Sequence, residues 1–332
     1  MKKLAVILLL VSLTFCLLSC APYEKTDYGF AMGSQYYVKY ISSSDLSKEV
    51  AHLLSSIEES FSIRVEGSLI SRINASAASK EIALTEEETD LLSSVFRISE
   101  SSDLGYNPTV LPLVEAWGFD PPFYSMNGEV PPSDSTIQAA MALSLPSLFA
   151  LNAAQHTIVK SEDAAALDLG GAIKGYAAEK VMDLLSEKGV SEALVYLGGT
   201  IAALGKSYVI GVTPPRDSDE SYAFRFTLGK GEICATSGDY ERYFFYNDTR
   251  YHHILDSRTG YPASSGVISA TVVHENGLYA DALATAVVVL GAERGVELLE
   301  KCGAKGAIIT ENKKVITVGL NVTIKDKSYA LE

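Results

Sequence analysis

The sequence predicts an α+β fold: mixed sheets with packed helices, in one domain or two intimately fused subdomains. Three observations carry this. The chain is 332 residues long and 47% hydrophobic, which is ample for a large core. Short runs rich in Val, Ile, Tyr and Phe fill the stretch from 193 to 273, whereas helical spacing governs much of the rest. The two kinds of segment also follow one another without strict alternation, which disfavours a doubly wound parallel sheet. No internal repeat or low-complexity tract breaks the pattern.

Residues 1–19 stand apart from that fold as a signal peptide. Lys2 and Lys3 precede an apolar run from Leu4 to Leu18, too short to span a bilayer comfortably. Leu17-Leu18-Ser19-Cys20 then resembles a lipobox, at which a bacterial lipoprotein precursor is cut before a Cys that takes acyl chains such as palmitate. On this reading Cys20 is lipidated, and 20–27 form a tether. Residues 28–332 are the folded domain, held at the membrane on the extracytoplasmic, periplasmic side. Several acyl chains would anchor it stably where one would not.

Removing Lys2 and Lys3 from 27 basic residues leaves 25 against 41 Asp and Glu, a formal charge of −16. That balance argues against nucleic acid and against electrostatic adhesion to anionic lipid. Past Cys20 only Cys234 and Cys302 remain, with no C-x-x-C pair.

Phe30–Tyr40 contains an expected strand, rich in aromatics. Asp45–Ser60 is an amphipathic helix placing Val50, Leu53, Leu54 and Ile57 on one face, and Glu86–Ser101 a second burying Leu91, Leu92, Val95 and Ile98. Between them, 61–74 begins irregular and turns briefly helical. Gly105-Tyr106-Asn107-Pro108-Thr109 favours a turn, and the proline-rich 121–132 a surface excursion. A helix is expected at Ser135–Ser144, and strands at Phe149–Asn152 and Thr157–Lys160. Further strands are expected at Ala193–Tyr196, Tyr208–Val212, Ala223–Leu228, Glu232–Ala235, Tyr243–Tyr246 and Val267–Val273. Helices at Tyr279–Leu290 and Ala292–Lys301 precede a closing hairpin, Gly306–Thr310 with Lys314–Val318.

The chemistry centres on Leu167-Asp168-Leu169-Gly170-Gly171-Ala172-Ile173-Lys174-Gly175, read as a buried strand end, a glycine turn and a helix running to about Lys188. Glycines let backbone approach a ligand, a helix start offers N–H groups to an anion, and Lys174 adds a positive charge. The spacing matches neither a dinucleotide fingerprint nor a P-loop; a corner whose glycines serve only packing has the same pattern. Asp281 and Thr285, four apart on a predicted helix, share a face. A carboxylate and a hydroxyl are hard ligands of the kind Mg²⁺ takes, although such a pair also arises from ordinary helix chemistry. The hydroxyls and amides of Ala235-Thr236-Ser237-Gly238 could hold phosphate or simply form a turn. His252 and His253, neighbours in a predicted strand, face opposite sides, so one can enter a site as a base while the other is structural. Trp117 and Phe119 read as core.

Taken in order, these segments resemble the ApbE family of FAD:protein FMN transferases. The resemblance is carried by Ala31-Met32-Gly33-Ser34, Ser68 to Asn74, Tyr106 to Leu113 with Trp117-Gly118-Phe119, and Asp168 to Gly175. It continues through Leu197-Gly198-Gly199, Ala235 to Gly238, His253 to Asp256 with Thr259-Gly260, and Asp281 to Thr285. It implies an ApbE-like, T-fold-related architecture and a Mg²⁺-dependent enzyme that splits FAD. Such an enzyme passes FMN to a Thr of an acceptor flavoprotein of the membrane redox-complex type and releases AMP. By position, Asp281, Thr285 and the carbonyl of Gly171 would bind metal. Met32, Gly105, Tyr106, Asn107, Asp168, Lys174 and Ile254 would touch FAD, and His253 would be the base for the acceptor Thr. Three residues depart from the family pattern: Arg64 where Tyr is frequent, Leu69 where an acid is usual, and Asn107 where Asp is usual. These bear on flavin affinity and on the choice between transfer and hydrolysis. Two further readings are a FAD pyrophosphatase giving FMN and AMP, and a lipid-anchored flavin carrier.

Overall fold

The computed structural model describes residues 22–119 and 130–332. Its frame is a nine-stranded sheet in the order β1 (Tyr23–Ala31), β2 (Ser34–Ser42), β6 (Ala193–Leu197), β7 (Thr200–Leu204), β10 (Ile233–Gly238), β15 (Val267–His274), β16 (Lys305–Thr310), β17 (Lys314–Val318) and β19 (Ala330–Leu331). Every pairing is antiparallel except that of β17 with β19. Strands β1 and β2 meet through a two-residue turn, with Met32 and Gly33 both at positive φ. Such a turn follows the natural twist of a hairpin.

Among the described residues eight helices accompany this frame: α1 (Ser47–Phe61), α2 (Leu69–Ala75), α3 (Glu86–Ser101), α4 (Leu111–Trp117), α5 (Asp134–Leu143), α6 (Ile173–Glu187), α7 (Gly277–Leu290) and α8 (Ala292–Lys301). A continuous core joins the helical layer to one face of the sheet, running from Val38 and Leu54 through Val181 to Leu283 and Ile308. Alternation along β2 explains the choice of face. Tyr36, Val38 and Tyr40 point inward, as period two requires.

The opposite face is covered over β7, β10, β15 and β16 by a three-stranded sheet of β8 (Tyr208–Val212), β9 (Phe224–Leu228) and β18 (Val322–Ile324). A further sheet holds β3 (Ile82–Ala83), β4 (Phe149–Asn152) and β5 (Thr157–Lys160). Two small hairpins, β11 (Tyr243–Tyr246) with β12 (Thr249–His252) and β13 (Leu255–Asp256) with β14 (Tyr261–Pro262), flank a separate aromatic cluster around Trp117, Phe119 and Phe244. The fold is therefore α+β, as the unalternated pattern predicts. Trp117 is core, its indole N–H donating to the Gly260 carbonyl at 2.8 Å.

Several expectations need correction. Tyr23–Asp27, expected as tether, are the first half of β1 and pair with β2. The run before Asp168 is extended but is no strand; the Asn74 side chain supplies its neighbour instead, accepting from the Leu167 N–H at 2.8 Å and donating to its carbonyl at 2.9 Å. Strand β12 ends at His252, so His253 lies beyond it. Helix α4 and strand β7 are additional to the expected elements. Most of the expected surface excursion at 121–132 lies outside the described residues, as do the signal peptide and Cys20. Among the described residues no helix is long and apolar enough to cross a membrane, and Cys234 and Cys302 are both free.

Candidate active site

One cavity of about 520 Å³ gathers the residues singled out in the sequence: Met32, Gly105, Tyr106, Asn107, Asp168, Gly171, Lys174, His253, Ile254, Asp281 and Thr285 all line it. They come from the β1–β2 turn, the loop before α4, the start of α6, the segment after β12 and the middle of α7.

The close approach of α6 and α7 builds the floor. A Cβ on Gly175 would lie 1.9 Å from the Gly277 carbonyl oxygen, and one on Gly277 would lie 2.1 Å from that of Gly175. Only two glycines allow backbones this near. The crossing sets Asp281 against the first turn of α6, where its Oδ2 accepts the Gly175 N–H at 3.0 Å. Part of the helix start predicted to hold an external anion is thus occupied by a buried carboxylate. One turn along α7, Thr285 shares a hydrogen bond with Ser237 at 3.2 Å. A Cβ on Gly171 would stand 3.3 Å from the Thr285 hydroxyl and 3.4 Å from the Tyr106 ring. Gly171, Asp281 and Thr285, scattered over more than a hundred residues, therefore meet.

The side chains so assembled are a carboxylate and a hydroxyl, hard oxygens of the kind that suits Mg²⁺, beside the backbone of Gly171, and they offer no soft ligand for zinc. Among the described residues there is no cluster of three or more His, Cys, Asp and Glu, so phosphate oxygens or waters would complete the shell. Tyr106 adds a buried hydroxyl with no hydrogen-bond partner. Burial, then the charges of Asp168 and Asp281, raise its pKa well above 10, so it stays protonated.

Lys174 sits in the first turn of α6, its ammonium donating to the Gly170 carbonyl at 3.1 Å. Asp168 closes the same turn by accepting the Gly170 N–H at 2.8 Å. The two histidines divide as predicted. His252 is buried, its Nε2 bonding the Ala263 carbonyl at 2.9 Å. His253 lines the cavity, with Nδ1 3.2 Å from the Arg242 carbonyl. A carbonyl only accepts, so Nδ1 carries the proton and Nε2 keeps its lone pair. Burial, then the charge of Arg242, pushes the His253 imidazole down to about 3, which keeps it neutral.

Asn107 is buried, and its amide serves the fold. It donates to the Ser144 carbonyl and the Ser257 hydroxyl, both at 2.9 Å, and accepts from the Thr109 N–H and hydroxyl. An Asp could not make those two donations. Leu69 is core at 1% exposure, while Arg64 lines the cavity. Glu58 and Lys160 carry no signal in the sequence. Glu58 accepts the Met32 N–H at 3.0 Å and so fixes the hairpin tip at the cavity edge. The Lys160 ammonium is sealed within the fold, donating to the carbonyls of Asn74, Asp163 and Ala165 at 2.5, 2.8 and 3.1 Å.

The sequence profile of the ApbE family matches residues 32–309, which spans every residue of this site. The chain belongs to the ApbE family. It is similar to the FAD:protein FMN transferase of Klebsiella pneumoniae (strain 342), 30% identical over 86% of this chain and 89% of that one. The FAD:protein FMN transferase of Treponema pallidum (strain Nichols) is 31% identical over 86% and 83%. Among solved structures, the flavin transferase ApbE from Vibrio cholerae superposes with a TM-score of 0.78 at 27% identity, covering 93% of this chain and 98% of its own. The ApbE protein of Thermotoga maritima gives 0.77 at 31% identity, over 92% and 97%. The ApbE fold thus accounts for nearly the whole described chain.

Proposed function

We propose that this chain is a Mg²⁺-dependent FAD:protein FMN transferase, held by lipid on Cys20 at the extracytoplasmic face of a membrane. One observation carries the catalytic part: Asp281, Thr285 and Gly171 converge on the floor of a single cavity that Lys174 and His253 also line. Relatives named as FAD:protein FMN transferases support the substrate.

In this reading FAD lies in the cavity with its diphosphate over the α6–α7 crossing. The carboxylate of Asp281, the hydroxyl of Thr285 and the carbonyl of Gly171 would hold magnesium, which supplies charge neutralisation at the diphosphate. Gly175 leaves one Asp281 oxygen for that task by occupying the other. The Lys174 ammonium stabilises negative charge growing on the departing AMP phosphate. His253 Nε2 takes the proton of the acceptor Thr hydroxyl as its oxygen bonds to the FMN phosphorus and the bond to AMP breaks. The free imidazole is a weak base, and the adjacent diphosphate charge raises its basicity when FAD binds. Met32 and Ile254 line the cavity, where they would contact FAD.

The deciding experiment incubates the protein with FAD, Mg²⁺ and an acceptor bearing the target Thr. Flavin bound covalently to the acceptor, with AMP released, supports transfer. Free FMN with AMP would instead establish a pyrophosphatase, and intact FAD a carrier.

A further inference from the structure

Strand β1 is an edge of the nine-stranded sheet, and its even-numbered residues face away from the helices. Tyr28 is 77% exposed and Phe30 71%, the two most exposed large hydrophobic side chains among the described residues. Register carries the same face inward along the sheet. Tyr28 lies opposite Tyr37, and Tyr37 opposite Tyr196. The Tyr37 and Tyr196 rings stack with centroids 4.9 Å apart, and the Tyr28 ring lies 6.3 Å from that of Tyr37. The three-stranded sheet covers this side of the large sheet only as far as Leu194 and Ile201, leaving the tyrosine ladder bare. The charges bordering it are paired, Lys39 with Glu24 at 2.9 Å and Lys206 with Glu192 at 2.6 Å.

We propose that the bare aromatic face of β1 and β2 rests on the lipid bilayer. The position of the anchor selects this occupant. Cys20 precedes Tyr23 by three residues, a reach of at most about 11 Å, so acyl chains on Cys20 hold β1 against the membrane surface. Tyrosine and phenylalanine on a charge-neutral surface suit the headgroup boundary, where an amphipathic ring keeps one end wet. With a formal charge near −16 the protein gains nothing from anionic lipid, so the contact is apolar and insensitive to salt. It also lays the hairpin tip, and Met32 at the cavity edge, beside the bilayer. An acceptor embedded in the membrane could then present its Thr without leaving it.

The inference rests on the lipid at Cys20, and the mass of the N-terminal peptide tests that part separately. Full-length protein carrying Tyr28→Trp is placed in phosphatidylcholine vesicles whose acyl chains are brominated. The only other tryptophan, Trp117, is 2% exposed and reports the background. We expect bromination near the glycerol end to reduce the added emission about twofold, at low and high salt alike, with FAD cleavage unchanged. Unquenched emission from lipidated protein would overturn the proposal. So would emission that changes only when acceptor protein or a second copy is added, and so would an N-terminal peptide without lipid.

Discussion

The side chain of Asn74 pairs with the backbone of Leu167 as one strand pairs with another, its amide meeting both the N–H and the carbonyl across 93 residues. The run entering Asp168 is thereby held extended without belonging to a sheet. Lys160 braces the same run through the Asn74, Asp163 and Ala165 carbonyls.

Replacing Asn74 by Ala strands two buried backbone groups, at about 1–3 kcal/mol each. The midpoint of urea unfolding should fall with its slope unchanged. An unshifted midpoint would show that the pairing is dispensable.

Asp281→Asn keeps an oxygen for the Gly175 N–H but removes the charge that would hold metal. Melting of the variant should stay close to wild type, while FAD cleavage falls at least about a hundredfold. Substantial residual cleavage at saturating Mg²⁺ would remove Asp281 from the metal site.

Gly175→Ala places a methyl group 1.9 Å from the Gly277 oxygen and 2.9 Å from the Asp281 Cβ. Neither is a flexible side-chain end, so α6 and α7 must part. Overpacking of this kind costs about 1–3 kcal/mol or more, lowering Tm by several degrees and abolishing cleavage together. Calorimetry and the cleavage assay on one preparation would read both.

The histidines set an acid limit. His253 titrates near 3 in the folded protein, and His252 is also lowered by burial, whereas both sit near 6.5 when unfolded. Between those values the unfolded chain binds more protons, so stability is lost as pH falls from about 6.5 toward 3 and is level above. His253→Gln should flatten part of that slope, as measured by denaturant unfolding at pH 7 and pH 5.

Much of this was legible beforehand. Period-two runs such as Tyr36–Tyr40 and helical spacing such as Val50–Ile57 fix their own elements, because alternation and the helical turn decide what is buried. Asp281 and Thr285 were readable as a pair since helical geometry alone puts them on one face. The run at Leu167 reads as a strand in the sequence, whereas in the fold a side chain, not another strand, completes its hydrogen bonds. Lys160 was invisible for a related reason: its three partners are backbone carbonyls, which leave no mark on residue identity. Tyr23–Asp27 reads as linker because an edge strand needs only one neighbour and tolerates Glu24 and Thr26 on its open face.

The crossing of α6 and α7 also has a consequence for timing. Asp281 is synthesised 106 residues after Gly175, and until α7 docks, the glycine corner has neither its carboxylate nor its hydroxyl. A growing chain that has not yet reached Asp281 therefore lacks the complete floor of the cavity. The floor closes only when the helix Gly277–Leu290 has been made and docked, so an assembled cavity reports that most of the fold is already in place.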